Sequence, residues 1–229
     1  MNEKKIVGEK AVDFIKDGMV VGLGTGSTVY YTILKLGQLV KDGLSIQGIP
    51  SSIQTKELAQ KLKIPLVSFK DINQIDVAID GADEVDSDFN LIKGGGGALL
   101  REKIIASGAK NFIVVVTPSK MSKTLGSFPL PVEVVPFGYE MTAKHIKTLG
   151  GKPSLREISG TPFQTDNGNY ILDCVFPNLS QPKEVETCLN LIPGVVENGL
   201  FTGMTDLVIS LDGRNHAVLL ESGGSKWKQ

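Results

Sequence analysis

The sequence is poor in several residue types that would otherwise carry function. It has two cysteines, Cys174 and Cys188, and two histidines, His145 and His216. Two thiols without a CxxC spacing build neither a disulfide framework nor a zinc site, so a reducing, cytoplasmic setting is the expectation. No HExxH occurs, and neither histidine falls in the glycine-rich or acidic loops. A histidine metal site and a Ser-His-Asp triad are therefore disfavoured. Net charge is nearly absent: 24 basic and 25 acidic side chains leave a formal −1. That removes the broad basic footprint of a nucleic-acid or membrane-surface binder, though not a local anion site. Long apolar runs are missing too. The longest uncharged stretch, Gly18 to Leu34, is broken by Gly, Thr and Ser and does not read as a membrane span. The first eighteen residues carry charges throughout, with no apolar segment of a secretory signal.

What is present is an ordinary globular composition, 41% hydrophobic and 21% charged over 229 residues. That length fits one large domain or two small ones. Glycine is the exception, at 26 residues or roughly 11%, against about 7% in an average chain. The glycines cluster at Gly22, Gly24 and Gly26, and again at Gly94–Gly97. Clusters mark loops that need close backbone approach or positive φ.

The first half alternates strand and helix patterns. Strands are expected at Met19–Leu23, Ser45–Ile49, Val77–Asp80 and Asn111–Val116. Helices are expected at Val29–Val40, from a Ser51 or Ser52 cap to Lys61, and at Ala98–Ser107. This is the pattern of a parallel α/β sheet covered on both faces, whose site lies at the carboxyl ends of its strands. The pattern changes at Phe128-Pro-Leu-Pro131. A strand at Val132–Val135, a helix at Tyr139–Leu149, strands at Pro153–Ile158 and Tyr170–Val175, a helix at Pro182–Asn190 and a strand at Gly194–Phe201 follow. That β-α-β-β-α-β order matches the ferredoxin-like plan. The reading is α/β: a Rossmann-like parallel sheet domain from residues 1–128 and 203–229, with a smaller inserted α+β domain at 129–202. Leu207–Leu211 returns to the first sheet. The tail Ser222–Gln229 reads as frayed.

Three loops could carry chemistry. Gly22-Leu-Gly-Thr-Gly-Ser-Thr28 brings glycines and hydroxyls to a helix start, which favours an anion such as phosphate over a bare turn. No Lys-Ser/Thr pair follows, so it is not a P-loop. Ser27 stands where a dinucleotide fingerprint needs its third glycine. The third strand ends in Asp80-Gly-Ala-Asp-Glu-Val-Asp86. Asp86, Asp88 and Asn90 start like a calcium loop, but Leu91 and Gly97 break that template. A carboxylate-bound magnesium stays open. Asp80 and Asp83, at the strand's end, suit sugar hydroxyls. In the third loop, Lys93 precedes Gly94–Gly97, whose N–H groups could surround an oxyanion.

Glu102 is the most informative single residue. At helical spacing it shares a face with Ala98, Leu99, Ile105 and Ala106, while Arg101 and Lys103 point elsewhere. Desolvation and a helix N-terminus pull on such a carboxylate in opposite directions, which suits a general base. A plain helix-dipole glutamate fits the composition equally well. Lys120, after Thr117-Pro118, is either a site residue or solvated.

Together, Gly22-Leu-Gly-Thr-Gly-Ser-Thr28, Asp80-Gly-Ala-Asp-Glu84, Ile92-Lys-Gly-Gly-Gly96, Arg101-Glu-Lys-Ile-Ile-Ala106 and Ser119-Lys120 resemble ribose-5-phosphate isomerase, type A. Phe128-Pro-Leu-Pro-Val-Glu-Val134, Thr165-Asp-Asn-Gly-Asn169 and Ile192-Pro-Gly-Val195 are also similar to that family. The likeness runs from about Lys4 to Leu211. Thr117-Pro118 departs from it, where relatives often carry acids. The resemblance implies a cytoplasmic aldose–ketose isomerase of the pentose phosphate pathway, interconverting D-ribose 5-phosphate and D-ribulose 5-phosphate without metal or organic cofactor. It implies Glu102 as the base working through an enediolate, with Asp80, Gly81, Ala82, Asp83 and Lys93 around the open-chain sugar. Thr25, Gly26, Ser27 and Thr28 would hold substrate, with phosphate near Ser27 and Thr28. Gly94, Gly95, Gly96 and Lys120 would complete the pocket, and Lys4 is a further phosphate candidate. It implies a homodimer or a tetramer, with no nucleic-acid or membrane partner. Two other classes stand beside it: a sugar-phosphate sensor without turnover, and a coenzyme A transferase-like enzyme with Glu102 as acyl acceptor.

Overall fold

The computed structural model describes residues 2–221; the Ser222–Gln229 tail lies outside the described residues. In chain order the helices are α1 (Glu3–Lys10), α2 (Val29–Lys41), α3 (Ile53–Lys61), α4 (Leu99–Ser107), α5 (Tyr139–Thr148) and α6 (Pro182–Asn190). The strands of the first half are β1 (Val20–Leu23), β2 (Gln47–Pro50), β3 (Ile75–Asp80), β4 (Glu84–Val85), β5 (Leu91–Ile92) and β6 (Ala109–Val115). Those of the second are β7 (Leu130–Val134), β8 (Lys152–Leu155), β9 (Glu157–Ile158), β10 (Thr161–Pro162), β11 (Tyr170–Val175), β12 (Val195–Asn198), β13 (Leu200–Phe201), β14 (Leu207–Leu211) and β15 (Ala217–Glu221). The chain forms two compact units. One runs to Ala82, resumes over Arg101–Met121 and takes the residues from Met204 onward; the other comprises Asp83–Leu100 and Ser122–Gly203.

The first unit is built on a six-stranded sheet of order β15-β14-β6-β3-β1-β2. All pairings are parallel except β14 with β15. After β1 the chain goes to one side for β2 and then to the other for β3. The carboxyl ends of β1 and β3 therefore flank a topological switch point, where open α/β sheets bind ligands. The sequence reading stops at Leu211; β15 adds an antiparallel edge strand in register Leu207 with Glu221. The core is aliphatic: Val21, Leu23, Val77, Ile79, Ile113, Val115 and Ile209 from the strands meet Val29, Ile33 and Leu36 of α2. Burying each such side chain contributes about 1.5–3 kcal/mol. Of the two expected caps, Ser51 and Ser52, it is Ser52 that caps α3, its Oγ accepting the Thr55 N–H at 3.0 Å.

The second unit holds a four-stranded antiparallel sheet of order β12-β7-β11-β8 and a three-stranded sheet of order β13-β5-β4. The first is the sheet order of a β-α-β-β-α-β unit closed by α5 and α6. Its core gathers Val132, Val134, Leu172, Cys174, Ile146 and Leu189. Burial pushes the Cys174 thiol up, so it is inert packing. Two expected strands are split. Gly194–Phe201 is interrupted at Gly199, which donates to the Pro131 carbonyl and accepts from the Lys93 N–H, so the chain leaves one sheet for the other. Pro153–Ile158 ends its pairing at Leu155, and a β9–β10 hairpin turns at Ser159 and Gly160, both with positive φ.

Candidate active site

In the first loop each glycine has its own cause. A Cβ on Gly22 would lie 2.4 Å from Ile105 of α4, so this glycine lets the helix pack on the sheet. A Cβ on Gly24 would lie 2.3 Å from the Asp80 carboxyl, so Gly24 makes room for a side chain. Gly26 has φ +126°, and nothing lies within 4 Å of where its Cβ would be. Only at Gly26 does the expected open approach hold.

Asp80, 4% exposed at the end of β3, accepts the Thr25 N–H at 3.1 Å and the Gly81 N–H at 2.7 Å on the same oxygen. Gly81 and Ala82 follow it, half-buried. Thr25, expected to hold substrate, is engaged inside the protein. Its hydroxyl meets Ser51 Oγ at 2.7 Å, Ser52 Oγ at 2.8 Å and Thr55 Oγ1 at 3.2 Å, and Thr55 in turn donates to the Gly24 carbonyl. This buried hydroxyl network ties the β1 loop to the start of α3. Sequence reading missed it because its members lie about thirty positions apart.

Past this anchor the loop opens α2. Thr28 makes no side-chain capping bond. Tyr30 and Tyr31 give their N–H groups to the Gly26 and Thr28 carbonyls, so what the start of this thirteen-residue helix offers an anion is chiefly its dipole. Ser27 is exposed, and Lys4 of α1 donates to its Oγ at 2.9 Å. An ammonium, a hydroxyl and a helix N-terminus thus converge. A groove of about 680 Å³ includes Lys4, Gly26, Ser27, Tyr30 and Tyr31 in its lining.

Glu102 sits in the first turn of α4 and is 6% exposed. Its expected neighbours Ala98, Leu99, Ile105 and Ala106 are all buried. Lys103, expected to point away from the Glu102 face, is only 9% exposed, while Ile104 is 48% exposed. Lys120 is half-buried in a short 3-10 turn that Pro118 starts.

In the second unit, Asp83 accepts the Gly95 N–H at 2.7 Å, and a Cβ on Gly95 would lie 2.7 Å from that carboxylate. Gly94 needs its φ of +104° and is crowded by Leu99 and Pro131; Gly97 needs φ +82° and is crowded by Phe163. Gly96 alone is exposed with nothing near it. Lys93 is 2% exposed and lies 5.4 Å from the Phe201 ring centroid. The other acids of this stretch have structural work. Glu84 accepts N–H groups from Gly126, Ser127 and Phe128, and Asp86 accepts from Asp88 and Asn90. Among the described residues no group of three or more His, Cys, Asp or Glu side chains is placed to hold a metal ion.

The family profile described as Ribose 5-phosphate isomerase A (phosphoriboisomerase A) matches residues 47–213. Ribose-5-phosphate isomerase A of Bacillus mycoides (strain KBAB4) is 52% identical over 210 residues, covering 91% of this chain and 95% of that protein. The chain belongs to the ribose-5-phosphate isomerase A family. Among solved structures, a D-ribose-5-phosphate isomerase in complex with phospho-erythronic acid superposes with TM-score 0.92 at 44% identity, over 96% of this chain and 100% of that one. The Plasmodium falciparum ribose 5-phosphate isomerase gives TM-score 0.92 at 38% identity, over 96% of this chain and 98% of that one.

The Thr165-Asp-Asn-Gly-Asn169 motif is more than a turn. Glu133, fully buried on β7, accepts on one oxygen from Thr165 Oγ1 at 2.9 Å, Asn167 Nδ2 at 3.1 Å and Asn169 Nδ2 at 2.9 Å. The signal was visible as a motif but not its target 32 residues upstream.

Proposed function

We propose that the chain is a metal-independent aldose–ketose isomerase acting on D-ribose 5-phosphate and D-ribulose 5-phosphate. Its 52% identity to a ribose-5-phosphate isomerase A supports this reading across most of its length. The structural observation that carries it is Glu102: a carboxylate among apolar neighbours, in the first turn of the helix that the glycine loop opens. A C–H next to a carbonyl is a weak acid, and its removal needs a positioned base and donors for the oxyanion that forms. Glu102 takes the C2 proton of the open-chain aldose, leaving an enediolate across C1 and C2. It returns the proton to C1, while the O2 proton passes to O1, giving the ketose. C1 and C2 are adjacent atoms, so one carboxylate serves both.

Asp80, Asp83 and Lys93 handle the hydroxyl protons and the developing charge. In the Gly94–Gly96 turn the Gly95 N–H holds Asp83, and the Gly96 N–H faces the oxyanion. Gly26, Ser27 and Thr28 hold the phosphate with Lys4, on a loop that Thr25 ties down, and Gly81, Ala82 and Lys120 complete the pocket. No helix among the described residues is long and apolar enough to cross a membrane. We place the enzyme in the cytoplasm as a homodimer, with residues 129–202 an insertion into the Rossmann-like domain. The test is ketose formation from ribose 5-phosphate with EDTA present. Turnover is expected to persist; its absence in folded protein overturns the reading.

A further inference from the structure

Gly94–Gly97 form a tight turn in which the Gly97 N–H donates to the Gly94 carbonyl at 3.0 Å. Its central peptide joins Gly95 to Gly96. The two common turn types differ by a flip of that central peptide, and type II needs positive φ at the third residue. Gly95 and Gly96 do not have positive φ, although glycine at both places leaves the flip open. Something must hold the peptide one way round.

Arg156 does so. Its Nη1 donates to the Gly95 carbonyl at 3.1 Å and to the Gly94 carbonyl at 3.0 Å. The rest of the guanidinium is committed to Asp173: Nε to Oδ2 at 2.9 Å and Nη2 to Oδ1 at 2.5 Å. The Arg156 side chain is 14% exposed, and Phe163 lies 5.8 Å from its Cζ while also crowding Gly97. A peptide's C=O and N–H point in opposite directions. Pinning the Gly94 carbonyl therefore aims the Gly95 N–H, which donates to Asp83. Pinning the Gly95 carbonyl aims the Gly96 N–H away from Arg156, and Gly96 is the one glycine of this turn with open space where a Cβ would stand.

We infer that Arg156, oriented by Asp173, is a positioning residue for the reaction: it fixes the central peptide of the glycine turn so that the Gly96 N–H is presented to the enediolate oxygen. A guanidinium on the carbonyl also polarises that peptide and strengthens its N–H as a donor. The inference rests on the isomerase reading and adds to it a residue more than fifty positions away in sequence.

The test compares Arg156→Ala and Arg156→Lys with wild type by kcat, KM and thermal melting, and adds guanidinium ion at millimolar concentration to the alanine variant. Misaiming an oxyanion donor is expected to lower kcat about 10–100-fold. KM stays within about threefold because the phosphate grip is untouched, and guanidinium restores part of kcat. Lysine cannot hold a carboxylate and two carbonyls at once, so Arg156→Lys shows the same split with a melting temperature close to wild type. A folded Arg156→Ala with near-wild-type kcat overturns the proposal. So does a loss in KM alone. If the alanine variant does not fold, Arg156→Lys decides by the same criteria. An inactive wild type overturns the isomerase reading and this proposal together; an active wild type beside an unimpaired variant overturns the proposal alone.

Discussion

Gly24 and Asp80 share one space: a Cβ on Gly24 would stand 2.3 Å from the Asp80 carboxyl, which accepts the N–H of the next residue, Thr25. The glycine on β1's loop is therefore a condition for the aspartate at the end of β3. Gly24→Ala is expected to displace Asp80, to cost about 1–3 kcal/mol of stability as an overpacked site, and to lower kcat more than tenfold. Thermal melting with steady-state kinetics checks both; full activity in Gly24→Ala would detach Asp80 from the reaction.

Gly96 and Gly97 are neighbours with opposite expectations. Gly97 has φ +82°, and a Cβ there would lie 2.5 Å from Phe163, so Gly97→Ala destabilises by more than about 1 kcal/mol. Gly96 has open space and no positive φ, so Gly96→Ala leaves the melting temperature nearly unchanged. In the proposed mechanism its methyl group would take room that the enediolate needs, so kcat is expected to fall about tenfold or more. Equal effects of the two substitutions on stability would contradict this assignment.

The alternation of strands and helices was legible because hydrophobic period and turn residues are local. So were the Ser52 cap and the apolar face of Glu102. Gly22 was not: its partner is Ile105, and a sequence cannot distinguish a glycine that admits a ligand from one that admits a helix. Arg156 and Asp173 fall in segments expected as strands and carried no site signal, since what Arg156 grips are backbone carbonyls some sixty positions earlier, and carbonyls have no sequence signature. Thr25 was expected to hold substrate, yet its hydroxyl turns inward to Ser51, Ser52 and Thr55, a network that forms only when two loops fold together.

Lys4→Ala is expected to raise KM for ribose 5-phosphate about fivefold, the worth of about 1 kcal/mol for a partly exposed charge. The Lys4–Ser27 contact of 2.9 Å places the ammonium at the α2 N-terminus. kcat should hold. The difference should shrink as salt rises, since exposed charges are screened. Unchanged KM at low salt would relocate the phosphate.

Asp76 links pH to stability. Burial works to raise its pKa, but the Val20 N–H and Lys110 outweigh it and hold the carboxyl below its ordinary value of 3.8. The Val20 N–H lies at 2.9 Å and the Lys110 Nζ at 2.9 Å. A folded pKa below the unfolded one stabilises above the unfolded pKa, and the gain is lost as pH falls through the folded value. Asp76→Asn should therefore cost about 1 kcal/mol at pH 7, with the gap to wild type closing below about pH 4. A gap that persists at low pH would mean packing, not charge, is at stake.

The most direct measurement is turnover of ribose 5-phosphate by Glu102→Gln beside its binding of phospho-erythronic acid by calorimetry. The expected result is a fall in kcat of at least about a hundredfold, because the amide cannot carry the C2 proton. Binding of the acid should stay near wild type. Near-normal turnover in a folded Glu102→Gln would contradict the assignment of Glu102 as the base.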